Sequence, residues 1–399
     1  MATRSESDEL GSVTLPADAL YGVETARALA HLAFSRHRLR DYPAYLAALA
    51  AVKRAAARAN QRAGVLAPAV AGAIDAAGDA VMRGAHAEQF PVDLLGGGGS
   101  IGVNMNLNEV LAALATRQLG STAAVQPRRD VNASQSTADV CHSAARLAVR
   151  AAAVDCLRAV DAAATTLQAH AQRWAAVPTL ARTCLQDAMP TTVDVLFAGH
   201  AGGLRRRAAA LRESLAPLDQ VVLGATVIGD GQGAPPAYRT AVVPALAELV
   251  GRPLAAHPHP ADALQHGDDL AAVSAALVLL AQALGKLAQD LRLLASGPRG
   301  GLGELRLPHV QSGSSFFSGK SNPVLPESVI QCVCQVLGCD RAVQAAAERA
   351  ELHLQVFDAV AVVNALDALS MLGVVVERFE RLCLRGLAVN EARCRELAS

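Results

Sequence analysis

Aromatic and charged residues are scarce in this chain of 399 residues. Aromatic side chains make up 3% of the chain and charged ones 18%, and 36 basic residues are balanced by 36 acidic ones. A chain with no net charge has no electrostatic basis for attracting nucleic acid or an anionic membrane surface. We therefore expect neither nucleic acid nor a membrane among its partners.

Paired cysteine motifs and an apolar leader are also missing. None of the eight cysteines forms a CxxC pair, and the polar residues 1–12 lack the apolar stretch of a signal peptide. These features predict a cytoplasmic protein with free thiols. Cys332, Cys334 and Cys339 are close in sequence but would not converge on a helix. We therefore predict no metal site, and nothing in the sequence indicates a cofactor.

Alanine, leucine and valine are abundant instead, and hydrophobic residues make up 52% of the chain. Alanine has the highest intrinsic helix propensity and leucine follows closely, so the composition predicts an all-α fold. After residue 137 the helical patterns become long, which is typical of a long-helix bundle. The predicted long helices cover approximately residues 138–173, 190–222, 261–295 and 340–372.

Apolar residues recur at alternating spacings of three and four between residues 270 and 294. This spacing is typical of the seam of a helix packed in a bundle, and not of a membrane span. We expect the seam to pack between subunits that share one bundle. A self-contained bundle in a monomer is the alternative, and periodicity alone does not decide between them.

The same patterns predict a division of the chain. Residues 1–14 are polar and lack apolar periodicity, so they are expected to be disordered. A smaller helical N-terminal domain is expected over residues 15–137 and the central bundle over residues 138–388.

Polar or glycine-rich segments interrupt the helices, and such loops commonly carry function. Residues 96–102 form a glycine-rich loop, and residues 182–190 a polar turn. Ser136 and Thr137 stand directly before the first long helix, where a hydroxyl caps the helix or a helix N-terminus binds an anion. Plain capping is the simpler interpretation of these two residues by themselves.

A fourth polar segment, residues 313–323, places Lys320 six residues beyond Ser314. A serine acts as a base only where its alkoxide is stabilised, for example by a lysine and backbone N–H groups. From the bare residues alone, a linker loop is the favoured interpretation.

Taken in order, these segments resemble the aspartase/fumarase superfamily over nearly the whole chain. The resemblance leans towards aspartase at Thr137, Ala225 and residues 324–327. The matching motifs are the opening residues 15–23; Asn104, Met105 and Asn106 followed by Asn108, Glu109 and Val110; Ser134, Gln135, Ser136 and Thr137; Gly224, Ala225 and Thr226 with Gly229 and Gly231; residues 295–304; and Gly313, Ser314, Ser315, Lys320, Asn322 and Pro323.

The resemblance implies a bundle of long helices shared by a homotetramer, with active sites built from three subunits. It implies β-elimination of an amine or ammonia from aspartate or a substituted succinate, which gives fumarate. A base removes the proton next to one carboxylate, and that carboxylate passes through a doubly charged aci form. Hydroxyls and a helix N-terminus must therefore bind more negative charge in the intermediate than in the substrate.

Residue roles follow from the matched positions. Ser314 is implied as the base, with Lys320 and Asn322 supporting the substrate carboxylates. Ser136 and Thr137 are implied to bind the carboxylate that becomes the aci form, and Thr183 the other carboxylate. Further implied contacts or supporting positions are Ser100, Asn104, Ser315 and Glu327.

Several positions depart from the family pattern. Ile101 replaces a threonine, Ala138 replaces an asparagine that contacts the leaving amine, and Cys184 replaces the histidine that would partner Glu327. Phe317 and Ser318 replace a Met-Pro pair, and residues 389–399 are expected to be the stub of a truncated C-terminal domain.

Three hypotheses about function follow. The first is a lyase acting on aspartate or a substituted succinate, since the residues of the implied base and carboxylate sites are present. The second is a catalytically silent structural or regulatory homologue. The third is a superfamily lyase with a different, less charged substrate, for which Ile101 and Phe317 would form apolar walls.

Overall fold

The computed structural model describes residues 2–120 and 124–399. It confirms the all-α prediction, since helices carry the fold and the strands form small two-stranded sheets. The helices are α1 Val23–Leu32, α2 Pro43–Arg62, α3 Pro68–Met82, α4 Ile101–Leu119, α5 Thr137–Arg173, α6 Val193–Ser214, α7 Pro236–Val250, α8 Pro260–Gln265, α9 Asp268–Leu294, α10 Val324–Ala347, α11 Asp358–Phe379 and α12 Glu391–Ala398.

The strands pair in order along the chain. Three of the pairs are antiparallel, and the pair β5/β6 is parallel. The strands are β1 Thr3–Asp8, β2 Gly11–Pro16, β3 Pro178–Thr183, β4 Gln186–Thr192, β5 Gln220–Val221, β6 Ala255–Ala256, β7 Leu305–Arg306 and β8 Ala388–Val389.

The chain divides into two compact units. Unit 1 comprises Met1–Ala151, Leu215–Ala271 and Ala342–Leu366, and unit 2 comprises Ala152–Ser214, Ala272–Arg341 and Asp367–Ser399. In unit 1, α2 packs against α3 and α7, and α4 packs against α1 and α3. In unit 2, α12 packs against β3. The domain limits predicted from sequence remain a prediction.

The prediction of a disordered segment at residues 1–14 is wrong. Strands β1 and β2 form a hairpin whose turn is fixed by Asp8, which accepts the backbone N–H of Leu10 at 2.8 Å. Arg4 Nη1 donates to the Ala19 carbonyl at 2.7 Å, and Arg27 pairs with Asp8 at 2.6 Å. Polar side chains stabilise this hairpin, so the segment has no apolar periodicity from which it could be predicted.

The predicted helix over residues 340–372 is also wrong. Two helices, α10 and α11, cover this stretch, and residues 348–357 connect them through a turn in which His353 has a φ of 71°. The predicted helix at residues 190–222 is shorter, because β4 takes residues 186–192 and α6 ends at Ser214. Pro190 therefore lies in β4 and does not open a helix.

The apolar seam of α9 is buried within the single chain. Val273, Leu277, Leu280 and Leu284 are at most 1% exposed. The prediction that this seam packs between subunits is wrong, because it already has partners inside the chain. By length and composition α9 and residues 358–384 could cross a membrane, but 56% and 50% of their most apolar windows are buried, as in core helices.

Residues 389–399, predicted to be the stub of a further domain, are folded. Strand β8 pairs with β7, and the backbone N–H of Asn390 donates to the Glu304 carbonyl at 2.8 Å. Helix α12 follows with Cys394 buried.

Candidate active site

The site residues implied by the family resemblance fall into two groups. Unit 1 holds those of α4 and the start of α5, and unit 2 holds those of the β3/β4 hairpin and residues 313–323. In unit 1, residues 132–139 are called the α5 cap, and side chains of α2 and α4 lie beside it. In unit 2, residues 313–323 are called the serine loop. Each is described within its own unit.

Ser136 caps α5, as the sequence predicts. Its Oγ accepts the backbone N–H of Ala138 at 3.1 Å, and its own N–H donates to Asp139 Oδ1 at 2.8 Å. This reciprocal pairing is a form of capping box, and it fixes the direction in which the helix begins. Both Ser136 and Thr137 are half-buried.

Asn104 sets the direction of the Thr137 hydroxyl. Asn104 is 1% exposed, and its Nδ2 donates to Thr137 Oγ1 at 3.0 Å. Because this N–H occupies a lone pair of the hydroxyl oxygen, the hydroxyl proton is left to donate away from Asn104. Thr137 is therefore arranged as a hydrogen-bond donor at a helix N-terminus, which suits an anion.

Buried polar side chains of α2 and α4 hold the α5 cap in place. Asn132 Oδ1 accepts from Lys53 Nζ at 2.9 Å, Asn104 Nδ2 at 3.0 Å and Asn108 Nδ2 at 3.2 Å. Asn132 Nδ2 donates to the Gln135 carbonyl at 3.1 Å. Lys53 is fully buried on α2, and burial lowers its pKa to about 7.

Asp139 ties the glycine-rich segment at residues 224–226 to α5. Its fully buried carboxylate accepts the backbone N–H groups of Ser136 at 2.8 Å, Gly224 at 3.0 Å and Thr226 at 3.2 Å. Burial raises the pKa of Asp139 to about 6, against the lowering effect of these hydrogen bonds.

Ala138 faces an apolar cluster. It is 4% exposed and is buried with Val222, Ala263 and Leu264, against which Leu354 packs. The family's asparagine position is thus occupied here by a side chain that belongs to a small core. An amine would find no polar partner in this cluster.

Ser100 and Ile101 begin α4 in different environments. Ser100 Oγ donates to Asp358 at 3.0 Å and is buried, so its hydroxyl is already engaged. Ser100 does not stand in for the family's threonine in this arrangement. Ile101 is 45% exposed and presents an apolar side chain at the threonine's position.

The serine loop in unit 2 is closed by contacts between its own ends. The backbone N–H of Gly313 donates to the Lys320 carbonyl at 3.1 Å, and Asn322 Nδ2 donates to the Gly313 carbonyl at 2.7 Å. A Cβ at position 313 would lie 2.4 Å from the Lys320 oxygen, so only glycine fits. The side-chain amide of Asn322 is therefore already hydrogen-bonded within the loop and holds it closed.

Ser314 is an acceptor within this loop. Its Oγ accepts the backbone N–H groups of Phe316 at 3.0 Å and Phe317 at 2.8 Å. The two phenyl rings meet edge to face and are 85% and 60% exposed. Ser315 and Lys320 are also exposed, and among the residues that the structure describes Lys320 has no side-chain partner.

Thr183 and Cys184 lie at the tip of the β3/β4 hairpin. Cys184 and Leu185 both have positive φ values, 53° and 59°, as a two-residue type I′ turn requires. Arg182 Nη1 and Thr179 Oγ1 both donate to buried Glu304, at 2.6 Å and 2.5 Å, which anchors the base of the hairpin. Thr183 and Cys184 themselves are exposed.

Glu327 has a cationic partner in place of the histidine that the family pattern would supply. Arg292 Nη2 lies 3.3 Å from Glu327 Oε1. The loss of the imidazole at Cys184 therefore does not leave this carboxylate unpaired.

Lys53, Asn132 and Asp139 are site residues that the sequence did not predict, and Glu304 was matched only as part of residues 295–304. A signal was present for two of them: Asp139 stands three residues after Ser136, which is the spacing of a capping box, and Lys53 interrupts an alanine-rich stretch. Cys332 is buried and Cys334 exposed on α10, so their side chains point in different directions. Over residues 2–120 and 124–399, no three His, Cys, Asp or Glu side chains are grouped as metal ligands.

Sequence comparison gives consistent matches. The family described as Lyase matches residues 11–338. An aspartate ammonia-lyase from Pseudomonas aeruginosa is 38% identical, over 99% of this chain and 85% of that protein. A fumarate hydratase class II from Chromobacterium violaceum is also 38% identical, over 99% of this chain and 86% of that protein.

Solved structures agree with the sequences. The native form of a fumarate lyase:delta crystallin from Brucella melitensis superposes with a TM-score of 0.94 at 39% identity, over 100% of this chain and 91% of that chain. A class II fumarase from Schistosoma mansoni gives a TM-score of 0.96 at 26% identity, over 99% of this chain and 87% of that chain.

Proposed function

The chain belongs to the aspartase/fumarase superfamily of lyases, and from that premise we propose that it eliminates an amine or ammonia from a succinate skeleton to give fumarate. The resemblance drawn from the motifs is confirmed at the level of the family, and the protein is a lyase. The substrate, the catalytic residues and the assembly are the proposal. Its main support is the environment of Ser314.

Ser314 would act as the base. A serine hydroxyl is a poor proton acceptor unless its alkoxide is stabilised. The two backbone N–H groups that point at Ser314 Oγ, from Phe316 and Phe317, would bind that negative charge. Lys320 in the same loop would add a positive charge for a substrate carboxylate.

The electrons and the proton balance without a cofactor. The Ser314 hydroxyl first gives its proton to solvent, and the resulting alkoxide takes the proton from the carbon next to one carboxylate. The electron pair of that C–H bond moves into the carboxylate to form the aci dianion. When the dianion collapses, the bond from the neighbouring carbon to nitrogen breaks, and the amine leaves with the bonding pair. The product is fumarate.

The α5 cap would bind the aci carboxylate. Thr137 donates away from Asn104, and the first backbone N–H groups of α5 point in the same direction as the positive end of the helix dipole. Donors fixed before the reaction stabilise developing charge without reorganisation. Thr183 would bind the second carboxylate.

The altered positions favour an amine that carries a substituent. Ala138 lies in an apolar cluster, and Ile101 is apolar and exposed. An unsubstituted ammonium would leave its hydrogen-bonding groups unpaired there, at a cost of about 1–3 kcal/mol for each group. An apolar substituent on nitrogen would instead gain contact, so we propose an N-substituted succinate as the preferred substrate.

We further propose a homotetramer in the cytoplasm. The long helices of unit 2 carry large apolar side chains that are exposed on the single chain, and burial against other copies would remove them from water. Those that are at least 41% exposed are Val154, Val195, Leu279, Leu293, Leu337 and Val374. Light scattering at micromolar concentration tests this; a monomer would contradict it.

The activity is tested by ultraviolet absorbance of fumarate with aspartate, malate and a panel of N-substituted succinates. We expect fumarate from at least one N-substituted succinate, faster than from aspartate. Malate turnover in the absence of any amine elimination would identify a hydratase instead. No fumarate from any substrate would support the silent homologue.

A further inference from the structure

Lys53 is a fully buried basic residue of unit 1. The sequence contains only three lysines, Lys53, Lys286 and Lys320, among its 36 basic residues. Lys53 is 0% exposed in the middle of α2, surrounded along the helix by alanines. A fully buried ammonium is costly unless an anion or strong acceptors compensate its charge, so its presence requires an explanation.

The contacts of Lys53 are to neutral amide oxygens. Its Nζ donates to Asn132 Oδ1 at 2.9 Å and to Gln135 Oε1 at 3.0 Å. Within the part of the chain that the structure describes, Lys53 forms no ion pair. The two amides orient the ammonium but do not neutralise it.

Both amides lead directly to the start of α5. Gln135 immediately precedes Ser136, and its Nε2 donates to the Val131 and Ala133 carbonyls at 3.0 Å, which holds the turn. Asn132 shares the Asn104 amide with Thr137. Lys53 is therefore linked to Thr137 through the amides of Asn132 and Asn104, and it binds the side chain of Gln135, the residue directly before Ser136.

The other titratable groups near Lys53 leave its charge largely unopposed. On α5, Asp139 raises the pKa of Lys53 but is itself bound by three backbone N–H groups, and Cys141 is a thiol whose pKa burial raises. Burial also raises the pKa of Tyr45 on α2 and of Tyr238 on α7, so both phenols are neutral.

Asp358 on α11 acts electrostatically on Tyr45 and Cys141, and its carboxylate accepts from Ser100. Asp358 therefore acts on Tyr45 and Cys141 and is not among the groups that shift the pKa of Lys53. An anion at Ser136 and Thr137 would supply the missing negative charge at the end of the network that Lys53 supports.

We propose that Lys53 is a positioning residue and counter-charge for the dicarboxylate, which binds at Ser136 and Thr137 only when Lys53 is an ammonium. This rests on the proposed function, because it takes the α5 cap as the carboxylate site. The neutral amine of the free protein takes one proton from solvent when the dianion binds. Neither bond making nor bond breaking at the substrate is assigned to Lys53.

The proposal predicts proton uptake coupled to binding. Succinate cannot eliminate, so it probes binding alone, and it is almost entirely the dianion at pH 8 and mainly the dianion near pH 6. Calorimetry of the full chain with succinate counts the protons exchanged when it is run in two buffers of different ionisation enthalpy, HEPES and Tris at pH 8 and MES and Bis-Tris near pH 6. At pH 8 we expect about one proton taken up per site, and near pH 6 about none, since the pKa of Lys53 in the free protein is about 7.

The dissociation constant should follow the same linkage. It should rise about tenfold for each pH unit above pH 7 and stay flat from pH 6 to 6.5. Lys53→Met keeps a similar length and should bind succinate about 10- to 100-fold more weakly at pH 6, with no proton uptake at pH 8. Lys286→Met removes an exposed lysine and should behave like the unmodified protein.

The outcomes separate the two proposals. Succinate binding to the unmodified protein at pH 8 without proton uptake would overturn the role of Lys53 and leave the lyase proposal in place, even if Lys53→Met fails to fold. Uptake retained in a folded Lys53→Met variant would also overturn it. No succinate binding at pH 6 would contradict the dicarboxylate site itself, and the role of Lys53 with it.

Discussion

The α5 cap and the serine loop carry the two halves of the proposed chemistry and are built in opposite ways. The α5 cap is held by buried side chains from α2 and α4, among them Lys53, Asn104 and Asn108. The serine loop is held by bonds between its own residues and carries exposed Phe316 and Phe317. A binding site for developing charge benefits from rigid donors, whereas a loop that admits substrate must be able to open.

The largest effect is expected in the serine loop. Ser314→Ala removes the proposed base and should lower kcat by about 10³-fold or more, because no other hydroxyl in the loop receives two backbone N–H groups. Initial rates of fumarate formation measure this. Ser318→Ala is the matched control, since Ser318 is an exposed serine of the same loop, and it should change kcat by less than about threefold.

A Ser314→Ala variant with the rate of the unmodified protein would place the base elsewhere. The serine loop would then not carry the proton-abstraction half of the proposed chemistry.

In the α5 cap, Thr137→Val removes the donor that Asn104 orients while keeping a branched side chain of similar shape. Losing one preorganised donor to an oxyanion typically costs about 10²–10³-fold in kcat. Steady-state kinetics should show this loss mainly in kcat, with a smaller change in KM. Thr137→Ser restores the hydroxyl and should recover most of the rate; equal losses in both variants would show that shape, and not the donor, matters.

The burial of Asp139 in the α5 cap should make the free energy of unfolding depend on pH. Its pKa in the folded protein is raised from 3.8 to about 6, so the folded state holds the proton more tightly than the unfolded state. Its contribution to stability is therefore full below about pH 4 and is lost as the pH rises through 6, by about 3 kcal/mol in total.

Urea unfolding of the unmodified protein and of Asp139→Asn at pH 4 and pH 7 measures this. The stability difference between them should shift by about 2 kcal/mol in favour of the variant at the higher pH. Asp155→Asn, at an exposed position of α5, is the control and should show no such shift. A shift of the opposite sign would mean that the hydrogen bonds to Asp139 outweigh its burial.

The smallest effect concerns the altered position in the α5 cap. Ala138→Asn would place an amide against Val222, Leu264 and Leu354, at a cost of about 1–3 kcal/mol of stability. Ala151→Asn, exposed on the same helix, should cost less than about 1 kcal/mol. Thermal unfolding measures both; no penalty at Ala138 would show that the cluster opens to admit a polar group.

The sequence predicts elements with apolar periodicity better than elements held by polar contacts. Apolar spacing predicts long helices, and α5 begins within one residue of its predicted start. The break between α10 and α11 was missed, because the apolar pattern continues on both sides of residues 348–357. The N-terminal hairpin was missed because Arg4 and Asp8 hold it with polar contacts.

For the site, a motif fixes which residues occur but not what their side chains touch. Ser136 was identified as a cap, and the cap is present. Ser100 was expected near the substrate, yet it donates to Asp358, which is 258 residues away in sequence. Lys53 lies 79 residues before Asn132, so no local pattern could join them.

The burial of Lys53 also gives this chain an unusual labelling pattern. Lysine-directed acylating reagents attack the neutral amine, and with a pKa of about 7 Lys53 is mostly neutral at pH 8. Its protection therefore depends on α2 remaining packed, while Lys286 and Lys320 are exposed. Slow acylation of Lys53, followed by peptide mass spectrometry, would time the opening of the core beside the α5 cap without any engineered probe.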